Sequence, residues 1–257
     1  MSPSLLVFKL TATPLLIAIV TLIGRRWGPG VSGWFIGFPF VSAPISLVLA
    51  LQYGPEFAAQ AGLGSLGGQS SVCAYCLVYG LVAQRAGWPA SVAAALAAFL
   101  VVTFCWSLLS PGLLATLVID AAVVLIVLRL IPRRTATVAA LRAPAWDIPA
   151  RMAIAAAFVL GLTALAKLLG PRLSGLVAML PVFTSIMTPF THHQQGGTAA
   201  IQLLRGLVLG SVAFGAFYLV IATCLPAAPI GWAYLAASIA SVAANVATLR
   251  LAQRSAA

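Results

Sequence analysis

Residues 28–39 read GPGVSGWFIGFP, and residues 170–181 read GPRLSGLVAMLP. The two stretches share the pattern G-P-x-x-S-G-x5-P without a gap. The same register pairs residues of like type well outside these stretches: Lys9 with Arg151, Gln52 with Gln194, Gly54 with Gly196, and Gly64 with Gly206. A register held over this length predicts that the chain is an internal duplication.

The composition predicts an all-α integral membrane protein, and the lipid bilayer is therefore an expected partner. Hydrophobic residues make up 62% of the 257 residues, charged residues only 7%, and the mean hydropathy is +1.10. Soluble globular proteins are about 45–50% apolar and about 25% charged, and disordered chains are less hydrophobic still. The net charge of +11 would suggest nucleic acid in a soluble protein. Here the basic residues lie between apolar segments, so no nucleic acid partner is expected.

Nine apolar segments are long enough to cross a bilayer, which takes about 20 residues. They are residues 5–24, 31–51, 62–84, 88–108, 111–131, 150–169, 172–190, 198–222 and 229–250. We therefore expect a first four-helix repeat at 1–110, a linking transmembrane helix and cytoplasmic linker at 111–149, and a second four-helix repeat at 150–257.

The basic residues predict the orientation of these segments. In the nine-span arrangement Lys9, Lys167 and Arg172 fall on one side, and the other eleven of the 14 basic residues fall opposite. Basic residues in short loops stay in the cytoplasm, so we expect an outside N-terminus and an inside C-terminus in a bacterial inner membrane. Five crossings separate the starts of the two repeats, so the repeats point in opposite directions, as in many secondary transporters.

Prolines interrupt the second span of each repeat. Pro39 and Pro44 lie in 31–51, and Pro181 and Pro189 lie in 172–190. Proline removes a backbone donor, and the freed polar groups need protein or water partners at membrane depth. We interpret the breaks and their hydroxyl residues as a substrate site; a kinked packing helix is the alternative. The binding candidates are Pro39, Ser42, Pro44, Ser46, Pro181, Thr184, Ser185 and Thr188.

The third span carries glycines, two polar residues and a C-x-x-C. Gly64 and Gly68, like Gly206 and Gly210 in the second repeat, form G-x-x-x-G, which favours close helix packing. Gln69 and Ser70 are candidates for a cavity-facing pair. The cysteines Cys73 and Cys76 are interpreted as buried small hydrophobes, with a thiol redox pair or a soft-metal site as the alternative.

Charged residues inside or beside the spans complete the candidates. Asp120 is the only acidic residue within a span. A carboxylate at that depth costs at least about 2.5–3.5 kcal/mol on insertion scales, so we predict a proton-coupling role. Arg205 is a candidate partner for it or a snorkelling side chain. His192 and His193 follow the seventh span and are candidates for proton transfer or substrate entry, with a solvated loop as the alternative.

The second repeat resembles the GlpM-like family of small bacterial inner-membrane proteins. The resemblance rests on LAKLLGPRLSGLVAMLPVFTSI (residues 165–186) and QLLRG (residues 202–206), and it covers most of 151–250 and more faintly 9–108. Members of that family are single units of about this repeat's size, so a fused inverted pair departs from their pattern. The resemblance implies an association with alginate or other envelope polysaccharide production.

Together these features predict a secondary transporter or exporter of a small molecule, not an enzyme. Alternating access between inverted repeats would be coupled to protons through Asp120. A non-transporting accessory of envelope polysaccharide production and an intramembrane thiol redox enzyme are the alternatives. The motif G-x-x-x-x-G-K-[ST] is absent from the sequence, which does not support ATP-driven transport by this chain. We expect no cofactor, no metal and no catalytic residue, and a homodimer is left open.

Overall fold

The computed structural model describes residues 3–109, 111–133, 144–161 and 181–254, and every regular element within them is an α-helix. The helices are α1 Pro3–Trp27, α2 Pro29–Ile36, α3 Ser42–Tyr53, α4 Pro55–Val82, α5 Trp88–Leu109, α6 Leu113–Leu130, α7 (147–161), α8 Val182–Gln195, α9 Gly197–Cys224 and α10 Ile230–Arg254. Parts of the predicted spans 150–169 and 172–190, with Lys167 and Arg172, lie outside the described residues.

Four helices within the described residues are long and apolar enough to cross a membrane. They are Trp88–Leu109, Leu113–Leu130, Gly197–Cys224 and Ile230–Thr248. An all-α membrane protein is therefore the architecture. The predicted total of nine spanning helices is not reproduced, because one predicted span is divided and others carry polar residues or extend beyond the described residues.

The predicted span 31–51 is wrong as a single helix. Helix α2 ends at Ile36 and α3 begins at Ser42, with Pro39 buried in the intervening segment. Pro44, which was also expected to interrupt the span, lies instead in the first turn of α3, where a missing N–H costs no helical hydrogen bond. In the second repeat Pro181 immediately precedes α8, whereas α8 continues through Pro189.

The helices of the two halves keep the register of the sequence repeat. Helices α4 and α9 each contain 28 residues, and they begin at equivalent positions, Pro55 and Gly197. Each is preceded by a glycine with positive φ, 93° at Gly54 and 85° at Gly196. Residues with a side chain rarely adopt this conformation, so the matched glycines mark the same turn in both halves.

Helices α4 and α9 cross each other antiparallel. Three contacts follow one another along the pair: Gly62 with Ile221, Gln69 with Ser211, and Ala83 with Gly197. The middle contact joins equivalent positions of the two repeats, 142 residues apart. Equivalent residues can meet in this way only where a pseudo-two-fold axis passes between the two helices.

Helix α2 packs onto α9 through glycines. A Cβ at Gly206 would overlap the Gly30 carbonyl, and one at Gly210 would overlap the Trp34 carbonyl. The close packing predicted for this glycine pair is therefore present, whereas Gly64 of the other predicted pair is exposed and a Cβ there would meet nothing within 4 Å. Gly37, just after α2, lies against Gly210 and Ser211. The break between α2 and α3 consequently lies beside the crossing of α4 and α9.

Most basic residues in the described part of the chain gather at one end of the molecule, which we call the basic end. The contacts that define it join helix termini: Arg25 with Asp147, Tyr79 with His192, Gly80 with Ile131, and Ala83 with Gly197. The C-terminal ends of α1, α4, α6 and α8 and the starts of α7 and α9 therefore lie together. This grouping agrees with the side to which the positive-inside bias assigns Arg25, Arg85 and Arg151.

Candidate functional site

The interior polar site is built around Asp120 of α6. Its side chain is buried, with 6% of the residue exposed, and Ser70 Oγ of α4 donates a hydrogen bond of 3.0 Å to its Oδ1. Helix α6 packs against both α4 and α9. The carboxylate of the linking helix therefore reaches the crossing of the two repeat-related helices, although α6 belongs to neither repeat.

Gln69 and Ser211 form the second part of the site. Gln69 Nε2 donates to Ser211 Oγ at 3.4 Å, and Ser211 Oγ donates in turn to the Val208 carbonyl at 2.9 Å. Gln69 is 5% exposed, and its Oε1 has no hydrogen-bond partner. A buried amide oxygen without a hydrogen-bond partner costs about 1–3 kcal/mol. A hydrogen-bond donor or a positive group beside Oε1 would therefore be favourable.

Gly215 of α9 leaves a gap beside these side chains. A Cβ placed there would lie 3.4 Å from Gln69 Oε1, 3.7 Å from Gln69 Nε2 and 3.9 Å from Asp120 Oδ2. The Gln69 amide and the Asp120 carboxylate therefore both lie beside Gly215. The equivalent residue of the first repeat is Cys73, so this gap exists on only one side of the pseudo-two-fold axis.

The cysteines of the C-x-x-C line the same region. Cys73 and Cys76 are fully buried on α4, and both thiols are free. Cys73 lies beside Asp120 and Ser211. The pair packs within the apolar cluster around Tyr79, as the packing interpretation expects.

The hydroxyl groups of the first break are paired with tyrosines of the second repeat. Ser46 of α3 lies 2.7 Å from the Tyr234 hydroxyl of α10. Ser42 lies beside the Tyr218 hydroxyl of α9, together with Ser65 of α4. Of the candidates in this part, Ser46 is buried and Ser42 and Pro44 are half-buried.

The hydroxyl groups of the second break lie on α8, where Thr184 and Thr188 are the repeat equivalents of Ser42 and Ser46. Ser185 Oγ and Thr188 Oγ1 of α8 and the Tyr75 hydroxyl of α4 are buried without a hydrogen-bond partner. Ser185 nevertheless lies beside Tyr75, and Thr184 is buried in the first turn of α8. Thr188 is therefore without a hydrogen-bond partner, whereas its repeat equivalent Ser46 is paired with Tyr234.

The two histidines, which lie at the basic end, have different surroundings. His192 Nδ1 lies 3.2 Å from the Tyr79 hydroxyl, and burial lowers the pKa of the imidazole below its ordinary value. His193 is exposed. Of the two histidines, it is therefore His192 that contacts α4, through Tyr79.

Arg205 does not pair with Asp120. Its Nη1 donates to the Leu128 carbonyl at 2.8 Å and to the Ile131 carbonyl at 3.4 Å. These are acceptors at the C-terminal end of α6, where a cation is favoured. The partnership with Asp120 considered from the sequence is therefore wrong, because the guanidinium caps the far end of the same helix.

An ion cluster at the basic end was not anticipated from the sequence. Asp147, fully buried, accepts hydrogen bonds from Arg25 Nη2 at 2.9 Å, from Arg151 Nε at 2.8 Å, and from Gln194 Nε2. Burial alone would raise the pKa of this carboxyl, but those hydrogen bonds outweigh it and hold the pKa below its usual value. The i,i+4 spacing of Asp147 and Arg151 was a usable signal, whereas nothing local pointed to Arg25.

Within the described part of the chain, no group of three or more His, Cys, Asp or Glu side chains comes together as a metal site. No family model, no curated protein and no solved structure matches this chain.

Proposed function

We propose that this protein is a secondary transporter or exporter of a small molecule in a bacterial inner membrane. The observation that carries the proposal is the antiparallel crossing of the equivalent helices α4 and α9 at Gln69 and Ser211, with the buried Asp120 beside it. Inverted repeats with polar groups at their shared axis are the architecture of many secondary transporters.

The proposed topology has nine crossings, with the N-terminus outside and the C-terminus inside. In it, α2 and α3 are two half-helices of one crossing, and the break between them lies at the depth of Ser211. Support comes from the contact of Gly37 with Gly210 and Ser211 and from the basic end, which agrees with a cytoplasmic face.

The proposed cycle uses the difference between the two hydroxyl clusters. Substrate binds at the break whose hydroxyl groups are unpaired, around Ser185 and Thr188, while the cluster around Ser46 is closed by Tyr234. When the repeats exchange conformations, the opposite break opens. The unequal pairing of the equivalent residues Ser46 and Thr188 supports such an exchange.

Asp120 carries the coupling proton in this cycle. A carboxylate is costly in its charged form at membrane depth, so it takes up a proton when the site closes and releases it when water enters. Ser70 holds one carboxylate oxygen by its hydrogen bond. The protonated state thereby becomes linked to the closed conformation.

The test compares vesicles that contain wild-type protein with vesicles that contain Asp120→Asn. A mixture of bacterial metabolites is supplied, and mass spectrometry measures what accumulates under an imposed pH gradient. We expect at least one compound to accumulate only with the wild-type protein. If Asp120→Asn accumulated the compound equally at the same protein level, the proton-coupling role of Asp120 would be refuted. If the wild-type protein accumulated nothing, the transporter proposal would be refuted.

Two alternative roles remain as proposals. The resemblance of residues 165–186 to the GlpM-like family favours a non-transporting accessory of envelope polysaccharide production; a deletion strain would then lose polysaccharide without any change in metabolite transport. The free, adjacent thiols of Cys73 and Cys76 favour a redox enzyme. In that case changing either cysteine to Ala would abolish function, whereas the transporter proposal expects nearly full activity.

A further inference from the structure

The last turn of α8 is held to three other helices at the basic end. On one side Gln194 Nε2 donates a hydrogen bond to Asp147 Oδ1 of α7, and Arg25 Nη2 of α1 donates to Asp147 Oδ2 at 2.9 Å. On the other side His192 Nδ1 lies 3.2 Å from the Tyr79 hydroxyl of α4. This turn is therefore fixed to α1 and α7 by one set of polar contacts and to α4 by another.

These contacts lie between the basic end and the hydroxyl group of Thr188. Thr188 is fully buried, and its Oγ1 has no hydrogen-bond partner among the described residues. An α-helix rises 1.5 Å per residue, so His192 lies about 6 Å and Gln194 about 9 Å nearer the basic end than Thr188 does. The polar contacts of the last turn therefore cover Thr188 from that side.

An apolar layer lies behind the ion cluster and joins the same three helices α1, α7 and α8. Ile17 of α1, Ala155 of α7 and Met187 of α8 belong to one buried apolar cluster. Each lies about 10–12 Å from the ion cluster along its own helix. An ionic layer and an apolar layer therefore follow one another from the basic end inwards, and Thr188 lies at the depth of the apolar layer.

Pro189 provides a hinge directly after Thr188. It lies inside α8, and a proline has no N–H to donate to the carbonyl group four residues earlier, here that of Ser185. Helices bend at such positions. The last turn of α8 can therefore tilt relative to the first turns without breaking a helical hydrogen bond at Pro189.

Arg25 is the member of the ion cluster that can separate. Its side chain is 33% exposed, whereas the side chains of Asp147 and Arg151 are 1% and 3% exposed. Water can hydrate Arg25 when it leaves Asp147, and Arg151 Nε, at 2.8 Å, stays with the carboxylate. The contact between α1 and α7 can therefore open without leaving a buried charge unpaired, which is the costly outcome for an ion pair.

We propose that the last turn of α8 is a gate at the basic end, which is closed in this structure and opens by tilting at Pro189 when Arg25 leaves Asp147. Opening exposes the hydroxyl group of Thr188 to the solvent on that side. The inference rests on the proposed function for what passes through the gate, but opening itself is measurable without any transported compound.

The test measures how fast a membrane-impermeant maleimide labels Thr188→Cys in the full-length protein reconstituted into vesicles. The four native cysteines are first changed to Ala. Arg85→Cys, at an exposed position after α4, is prepared separately in the same background. Its labelled fraction gives the fraction of molecules whose basic end faces the reagent.

Thr188→Cys alone should be labelled slowly, because the gate is closed. Adding Arg25→Gln should raise the rate about tenfold, as expected when a hydrogen bond between charged groups is lost. Adding Arg26→Gln, the matched change at the neighbouring exposed arginine, should leave the rate unchanged. Pro189→Ala restores the N–H of α8 and should reduce the rise caused by Arg25→Gln.

Tyr79→Phe provides a second way to loosen the gate, because it removes the hydroxyl contact with His192 and leaves the ion cluster intact. It too should raise the labelling rate of Thr188→Cys. Should Arg25→Gln fail to fold, as judged by gel filtration and melting temperature, Tyr79→Phe decides the outcome.

Equal labelling rates with Arg25→Gln and with Arg26→Gln would overturn the gate. A rise seen only when the reagent is applied to the face opposite Arg85 would overturn it as well, and a rise that Pro189→Ala leaves unchanged would overturn the hinge. Faster labelling in a protein that accumulates no metabolite would instead support the gate while refuting transport.

Discussion

Gln69 and Ser211 occupy equivalent positions of the two sequence repeats, 142 residues apart, and their side chains meet through a hydrogen bond of 3.4 Å. The pair lies where α4 and α9 cross. Where two equivalent helices cross antiparallel, a residue meets its own repeat equivalent at the axis that relates the helices, so this contact locates that axis. Asp120, supplied by the linking helix, lies beside it.

The crossing predicts a specific cross-link. In a background with Cys73 and Cys76 changed to Ala, the pair Gln69→Cys and Ser211→Cys should form an intramolecular link with a short thiol reagent. Gln69→Cys with Thr223→Cys should not, because position 223 lies about 18 Å further along α9. Electrophoresis after a single cut between the two positions measures the link; a product found only between molecules would contradict the crossing.

The glycine contacts predict unequal effects at equivalent positions. Gly206→Ala should destabilise the protein by about 1–3 kcal/mol, because the new Cβ would overlap the Gly30 carbonyl. Gly64→Ala, at the equivalent position of the first repeat, meets nothing within 4 Å. It should be neutral or stabilising by up to about 1 kcal/mol through helix propensity. Melting temperatures of the two variants check this, and equal losses would be inconsistent with the packing.

The ion cluster predicts a large effect of Asp147→Asn. Removing the charge leaves Arg151 buried without its counterion, and breaking such a pair costs about 3–5 kcal/mol. Glu56→Gln, the matched change at an exposed acidic residue, should cost little. Thermal unfolding of both variants provides the comparison.

The pH dependence of that effect follows from the lowered pKa of Asp147. A carboxyl with a depressed pKa in the folded state stabilises the protein above the unfolded value of about 3.9, and this stabilisation is lost as the pH falls through the folded value. The difference between wild type and Asp147→Asn should therefore be constant from pH 5 to pH 8. A difference that grows or shrinks across that range would show that another group controls the cluster.

The basic end predicts the location of loops. Reporter fusions after Arg85, after Arg133 and at the C-terminus should report the cytoplasm, and fusions after Tyr53 and after Pro229 should report the outside. The physical reason is the gathering of the helix ends around Arg25 and Asp147 on the face that the positive-inside bias retains in the cytoplasm. A cytoplasmic signal after Tyr53 would refute the division of one crossing between α2 and α3.

Several features of the fold could be predicted because they depend on single residue types. Pro39 lacks an N–H and ends α2, and Gly206 and Gly210 lack side chains and admit α2. The register of the repeat likewise predicted equivalent helices. The prediction that 31–51 is one continuous helix was wrong, and so was the prediction that Pro44 interrupts it. Hydropathy over about 20 residues does not distinguish one helix from two consecutive half-helices.

The sequence by itself determined the membrane environment, the duplication, and the positions at which helices break or pack closely, because each follows from composition or from the local chemistry of proline and glycine. Only the tertiary structure decided which polar groups meet. Asp120 is 50 residues from Ser70, and Arg25 is 122 residues from Asp147. These pairs form because helices that are distant in sequence pack against each other. That packing depends on the shapes of whole helix faces. In a chain of such uniform hydrophobicity, no local sequence pattern specifies those shapes.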